Sequence, residues 1–148
     1  MSYIELAKGL LEKMQLMHKA KPQKYINESL QGEMFILKYI SIRNTSVLPG
    51  EISNEMGVSS ARIATALNNL ERKNLITRQI DKNDRRKILV EITKEGKQVV
   101  AKQDKILINI VAHILETLGG HDAKEYVRIT GKLAQAATKI SFNCEHVA

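Results

Sequence analysis

TRQIDKNDRRKILVEITKEG, Thr77–Gly96, is the stretch that decides how this chain is read. Two apolar-rich segments, Ile76–Ile80 and Ile88–Ile92, bracket seven polar residues, Asp81–Lys87, four of them basic. β-Branched residues on either side of a charged tip predict an antiparallel hairpin with a long loop. A ribbon of this kind can lay its tip arginines into a DNA groove.

The residues before the hairpin supply its context. Pro49 suits the opening of a short helix, Gly50–Met56, in which Ile52 and Met56 sit four apart and face inward. Gly57 provides a left-handed residue to end it, and Ser59 caps the next helix, which runs to about Lys73. Ile63, Ala66, Leu67 and Leu70 form that helix's buried stripe, and Asn74 can close it with positive φ. Helix, turn, helix and basic hairpin together predict a winged helix that binds duplex DNA.

Charge is distributed accordingly. The formal net charge is +7. Residues 1–58 hold seven Lys/Arg against six Asp/Glu, residues 59–98 ten against five, and residues 99–148 six against five. The excess lies on the second helix of the pair and on the hairpin, where phosphate binding by counterion release would use it. A solvated basic surface is the alternative reading of charge alone.

Further out, Ile4, Leu6, Leu10, Leu11, Met14 and Met17 recur at helical spacing over Tyr3–Lys19, with a break at Lys21-Pro22. A second helix is expected over Leu30–Arg43 with Ser29 as N-cap, followed by a loop, Asn44–Leu48. Thr93 caps a long helix, Lys94–Leu118, whose apolar side runs from Val99 to Leu118. Gly119-Gly120 breaks it, a last helix covers Asp122–Ile140, and Ser141–Ala148 are expected to fray. These terminal helices carry more apolar surface than a small winged-helix core absorbs. A two-fold dimer resolves that, and an intrachain helical cap is the alternative.

The fold class is therefore mainly α with a small β-hairpin wing. One domain spans 1–148, with a DNA-binding lobe at 30–96 and dimerisation helices at 1–20 and 97–140. Removing the core stripe from the recognition helix leaves Ser60, Ala61, Arg62, Thr65, Asn68, Asn69 and Arg72 outward. Arg reads guanine, Asn reads adenine, and Thr or Ala meets the thymine methyl. Ser59 and Ser60 sit at the helix N-terminus, where hydroxyls and free N–H groups suit a phosphate. In the wing, Lys82, Arg85, Arg86 and Lys87 surround Asp84. An acid amid four bases weakens phosphate attraction unless it orients a neighbour. Asp84 is therefore assigned to hold Arg86 for minor-groove entry. Asp81 and Asp84 also suit turns, and both roles can coexist.

From about Leu30 to Gly96 the chain resembles the MarR (multiple antibiotic resistance regulator) transcription factors. The similarity rests on EISNEMGVSSARIATALNNLERKNL and DRRKILVEITKEG. The family's Asp-x-Arg wing signature corresponds to Asp84-Arg85-Arg86, and its Leu-Thr-x-x-Gly helix start to Ile92-Thr93-Lys94-Glu95-Gly96. Its Leu-Glu-x-x-Gly-Leu helix end corresponds to Leu70-Glu71-Arg72-Lys73-Asn74-Leu75, with Asn where Gly is usual. The resemblance implies a cytoplasmic bacterial or archaeal homodimer, nucleoid-associated when bound to double-stranded DNA at a pseudo-palindromic operator. It implies repression released by a small-molecule effector, by thiol oxidation or, in some members, control by zinc. The family often has a basic residue where this chain has Thr65, so a relative's operator preference does not carry over.

No cofactor and no metal site is expected. Cys144 is the only cysteine and does not match the family's N-terminal redox position. His18, His113, His121 and His146 show no paired ligand spacing, and His113 is read as a packed or boundary residue. Met14, Met17, Met34 and Phe35 either line an effector cavity or belong to the core; the effector-binding residues are otherwise unknown. No secretory segment or bilayer-spanning run is read, so no membrane association is expected. A winged-helix module that binds protein rather than DNA is the competing reading. An enzyme has little support, since no Gly-rich phosphate loop and no nucleophile–base arrangement stands out.

Overall fold

The computed structural model describes residues 1–140, so the expected fraying of Ser141–Ala148, and with it Cys144 and His146, lies outside the described residues. Seven helices and a two-stranded antiparallel ribbon follow in the order α1 (Tyr3–His18), α2 (Lys21–Gln31), α3 (Glu33–Arg43), α4 (Pro49–Met56), α5 (Ser60–Arg72), β1 (Ile76–Ile80), β2 (Ile88–Ile92), α6 (Lys94–Glu116) and α7 (Gly119–Ala137). The chain divides into two compact units, Met1–Leu107 and Ile108–Ala148.

The first unit holds the core. Ile36, Leu37 and Ile40 from α3, Ile52 from α4 and Ile63, Leu67 and Leu70 from α5 are buried together with Val47, Ile76, Val90 and Val100. The i, i+3, i+4, i+7 spacing on α5 places its three large aliphatic residues on one side, and Ala66 packs at the margin of the same cluster. β1 and β2 pair from Ile76 opposite Ile92 to Ile80 opposite Ile88. Val47 adds a single bridge to the outer edge of β2, with reciprocal N–H···O bonds to Val90 of 2.9 and 2.8 Å. That bridge ties the α3–α4 connection to the ribbon.

Three boundaries differ from the sequence reading. Lys21-Pro22 opens a helix instead of ending one, because Pro22 sits in the first turn, where a missing N–H removes no bond. Ser29 lies inside α2 and its hydroxyl donates to the Tyr25 carbonyl at 2.9 Å, so it does not cap α3. Gly32, with φ −95° and ψ −158°, ends α2 and begins α3 within a single extended residue. At the other end, α6 stops at Glu116 and α7 begins at the glycine pair itself, with Gly119 at φ 76°.

α2 and α3 are fastened to the first half of α6 by polar contacts. The Tyr25 hydroxyl donates to Gln103, and the Lys38 ammonium donates to Asp104 at 2.8 Å. α3 is fastened to α5 by Glu33, whose carboxylate accepts from Asn69 Nδ2 at 3.0 Å and from Lys73 Nζ at 2.9 Å. Lys73's hydrogen bond, ahead of an opposing effect of burial, holds the Glu33 carboxyl below its usual range; Asn69 and the charges of Lys73 and Arg72 act in the same direction.

The tightest place in the unit lies where α5, the ribbon and α6 meet. Asn74 takes φ 61° directly after α5. The Thr93 hydroxyl donates to the Asn74 carbonyl at 2.8 Å and accepts from Gly96 N at 2.9 Å, while Thr93 N donates to the Leu75 carbonyl at 3.0 Å. Gly96 is buried here, and a Cβ on it would collide with the Leu75 carbonyl oxygen and Ile92 Cγ1.

In the second unit α7 buries no residue. Arg128 and Glu125 pair along its surface at 2.7 Å. His113, read as a packed or boundary residue, is 83 % exposed in its side chain and lies 3.4 Å from Glu116, its i+3 neighbour. No helix among the described residues is long and apolar enough to cross a membrane.

Gly96→Ala should destabilise the protein by about 1–3 kcal/mol, because the colliding atoms include a fixed backbone carbonyl. Gly50→Ala, with open space around it, should change stability by less than about 1 kcal/mol. Urea denaturation midpoints compare the two. The Glu33 carboxyl is depressed in the folded state, so its contribution is full above the ordinary carboxylate pKa and lost as pH falls through the folded value. Glu33→Gln should therefore unfold earlier than the parent at about pH 7, with the gap closing below about pH 4.

Candidate nucleic-acid interface

α5 begins at a well-formed cap, in which the Ser59 hydroxyl accepts from Arg62 N at 3.3 Å. The remaining first-turn N–H groups have no intrahelical partner and carry the positive end of the helix dipole. Ser60, Ala61 and Arg62 are exposed around this end. One turn on, the Thr65 hydroxyl donates back to the Ala61 carbonyl at 3.1 Å, so its oxygen is left as an acceptor. Arg62, Lys82, Arg85 and Lys87 belong to none of the six ion pairs among the described residues. Their charge is available to an anion.

The second half of α5 is differently engaged. Asn69, read as outward, is half-buried, and both ends of its amide are taken: Nδ2 donates to Glu33 and Oδ1 accepts from Arg72 Nη2 at 2.7 Å. Sequence periodicity placed it outward, and Glu33, 36 residues earlier, draws it inward. Arg72 in turn has one of its donors engaged. Asn68 remains exposed, but its Oδ1 accepts from Arg78 Nη2 at 2.7 Å.

Arg78 is a residue that the sequence reading missed. From β1 it grips Glu71 with two bonds, Nε to Oε2 and Nη2 to Oε1, each 3.1 Å, and so joins the wing to the end of α5. The pairing holds the Glu71 carboxyl below its usual range and raises the Arg78 guanidinium above its own. The signal was weak: β1 carries one charged residue on a half-exposed strand, and its partner lies seven positions back.

At the wing tip two aspartates shape the loop. Asp81 Oδ1 accepts from Asn83 N at 2.9 Å, and Asp84 Oδ1 accepts from Arg86 N at 3.1 Å. Lys87 N closes on the Asp84 carbonyl and Asp81 N on the Lys87 carbonyl, both at 2.9 Å. Asp84 Oδ1 also accepts from Arg86 Nε at 3.3 Å. One oxygen thus forms the turn and steadies the guanidinium, while the Arg86 side chain stays 91 % exposed.

Two hollows flank this apparatus within the first unit. One, of about 650 Å³, lies against α5 and is lined by Phe35, Met56, Val58, Ile63 and Ala66 among others. The other, of about 330 Å³, is lined by Met34, Phe35, Tyr39, Val100 and Leu107 with polar neighbours. Met34 and Phe35 line a hollow and Met34 also packs against the core, whereas Met14 and Met17 are exposed on α1 and line neither hollow.

Comparison with known proteins is consistent along the chain. A family model described as the MarR family matches residues 30–87. The HTH-type transcriptional repressor MdtR of Bacillus subtilis is 31% identical over 129 residues, which cover 82% of this chain and 81% of MdtR. The crystal structure of the YusO protein from Bacillus subtilis superposes with a TM-score of 0.71 at 26% identity, covering 92% of this chain and 99% of that one. Streptococcus pneumoniae FabT, crystallised in complex with DNA, shares the fold with a TM-score of 0.66 at 23% identity, over 95% of this chain and 100% of its own. With the capped helix, the Asp84-held wing and the Thr93–Gly96 junction in place, the chain belongs to the MarR family of winged helix-turn-helix transcriptional regulators.

Proposed function

We propose that the chain is a homodimeric repressor of a pseudo-palindromic operator, released when a small molecule binds. Each protomer would place the N-terminal half of α5 in a major groove and the wing in the flanking minor groove. The observation that carries this reading is the wing tip: Arg86 stands free of the protein surface yet bonds Asp84 through Nε, which biases its guanidinium before docking. Ser59, Ser60, Arg62 and Thr65 form the leading contact set on α5, with Asn68 behind them. Asn69 and Arg72 are left with a supporting role, since the Asn69 amide donates to Glu33 and accepts from the Arg72 guanidinium. Lys82, Arg85 and Lys87 supply phosphate contacts. FabT, which shares the fold and was crystallised in complex with DNA, supports the same use of it here.

The dimer rests on unburied apolar faces. Neither α1 nor α7 has a buried residue, and Leu10, Leu11 and Met14 on α1 and Tyr126, Val127 and Leu133 on α7 are exposed. Apolar surface on this scale calls for a partner, and a second copy supplies an equal area under two-fold symmetry. The hollows beside α5 and α6 are large enough for small apolar effectors. Such a regulator works in the cytoplasm on the nucleoid.

Selection of duplexes from a random pool tests the reading. An inverted repeat with half-sites about one helical turn apart supports it, and the absence of any enriched motif counts against it. On the selected duplex, Arg86→Ala should weaken binding by about 1–3 kcal/mol in fluorescence anisotropy. Asp84→Ala should weaken it as well, although it removes a negative charge; tighter binding would refute the tether. Leu133→Glu should shift the protein from dimer to monomer in sedimentation. It should also lower affinity for the two-half-site duplex more than tenfold, by about 1.4 kcal/mol or more.

A further inference from the structure

An asparagine amide can read a base in two ways. With both ends free it offers an acceptor and a donor together, the pattern that matches adenine N6 and N7. With one lone pair of its oxygen held by a guanidinium, the amide is fixed with its N–H donors leading, and a base amino group must share the oxygen with that stronger donor. In this protein the Asn68 oxygen is occupied. Arg78 Nη2 donates to it at 2.7 Å, while the same guanidinium spans both oxygens of Glu71 at 3.1 Å. Three donors of one planar fork are thereby fixed, and the charge-assisted pair with Glu71 holds the fork where Asn68 must meet it. Turning the amide over would set NH2 against guanidinium and forfeit the shortest of the three bonds. The Asn68 side chain remains exposed, and its Nδ2 has no partner among the described residues.

We infer that Arg78 is a specificity-determining positioning residue, which locks Asn68 as a hydrogen-bond donor and turns it from adenine towards guanine and thymine. In the major groove those two bases present the keto oxygens O6 and O4 at the position where adenine and cytosine present amino donors; adenine keeps its N7 acceptor, but the bidentate pair to N6 and N7 needs the oxygen that Arg78 holds. The neighbouring amide of Asn69 is engaged at both ends within the protein, so Asn68, whose NH2 is unengaged among the described residues, is the amide of α5 best placed to contribute. This inference rests on the reading of the chain as a sequence-specific DNA-binding protein.

The test repeats the duplex selection with the full-length parent, Asn68→Ala, Arg78→Leu and the double variant, with thermal melts confirming that each is folded. Arg78→Lys stands in if Arg78→Leu is unfolded, since a lysine keeps a charge for Glu71 but lacks the fork. The parent should show one position per half-site at which guanine and thymine together outnumber adenine by about fivefold or more, the worth of one hydrogen bond. Asn68→Ala should erase that preference. Arg78→Leu should raise adenine at the same position by about fivefold, and this gain should vanish in the double variant. An Arg78 substitution that lowers retention on all sequences without altering the base preference would make the clamp merely structural and overturn the inference. So would an unchanged motif in Asn68→Ala. If the parent itself enriches no motif, the sequence-specific reading fails, and the inference fails with it.

Discussion

The recognition helix, the wing and the long α6 are held by one crowded junction. The chain leaves α5 through Asn74 in a left-handed turn, runs out and back along the ribbon, and re-enters a helix beside the point it left. The Thr93 side chain joins the two ends by bonding the Asn74 carbonyl on one side and the Gly96 amide on the other. The approach is close enough that residue 96 can have no side chain. Because the ribbon is rooted at both ends of this joint, its tip cannot swing independently of α5. The single bridge from Val47 to Val90 adds a third attachment on the far edge. DNA recognition by two separate elements needs such a joint, since each groove contact depends on where the other lies.

A second constraint concerns polar groups that satisfy one another. Along α5 the side chains divide by what the protein itself already uses. Arg62 and the first-turn N–H groups have charge or donors to spare, whereas Asn69 is consumed by Glu33 and Arg72. Arg78 and Glu71 bond across from strand to helix and draw in one end of Asn68. The surface proposed to meet DNA is thus narrower than the exposed face of the helix. The same bonds stiffen it, so that less side-chain freedom is given up on contact.

Much of this was legible from residue order. The hairpin's limits, the cap at Ser59, the stripe of Ile63, Leu67 and Leu70 and the positive φ of Asn74 all follow from local rules, because each depends on neighbours within about one turn. α2 was missed because proline at a helix start and proline at a helix end look alike in one dimension, and here Pro22 is at a start. Ser29 misled for a related reason: a serine before an apolar run suggests a cap, but its hydroxyl had a carbonyl available one turn earlier. Of the candidate site, the exposed basic residues were readable as charge in a pattern. The side chains tied up within the protein were not, because Glu33 and Arg78 act across 36 and ten positions respectively, and only the fold brings those partners together.

The long, solvated arginine at the wing tip has a consequence for how the molecule arrives. Of the net charge of +7, residues 59–98 hold ten basic residues against five acidic, while the flanking stretches are close to balanced. The positive excess is therefore concentrated on α5, the ribbon and the start of α6. In the field of a polyanion such a distribution gives a torque as well as an attraction, which would turn the proposed reading face forward before contact. Fewer encounters begin in an unproductive orientation, so the uneven placement of charge speeds capture where an even spread of the same total would only strengthen adhesion.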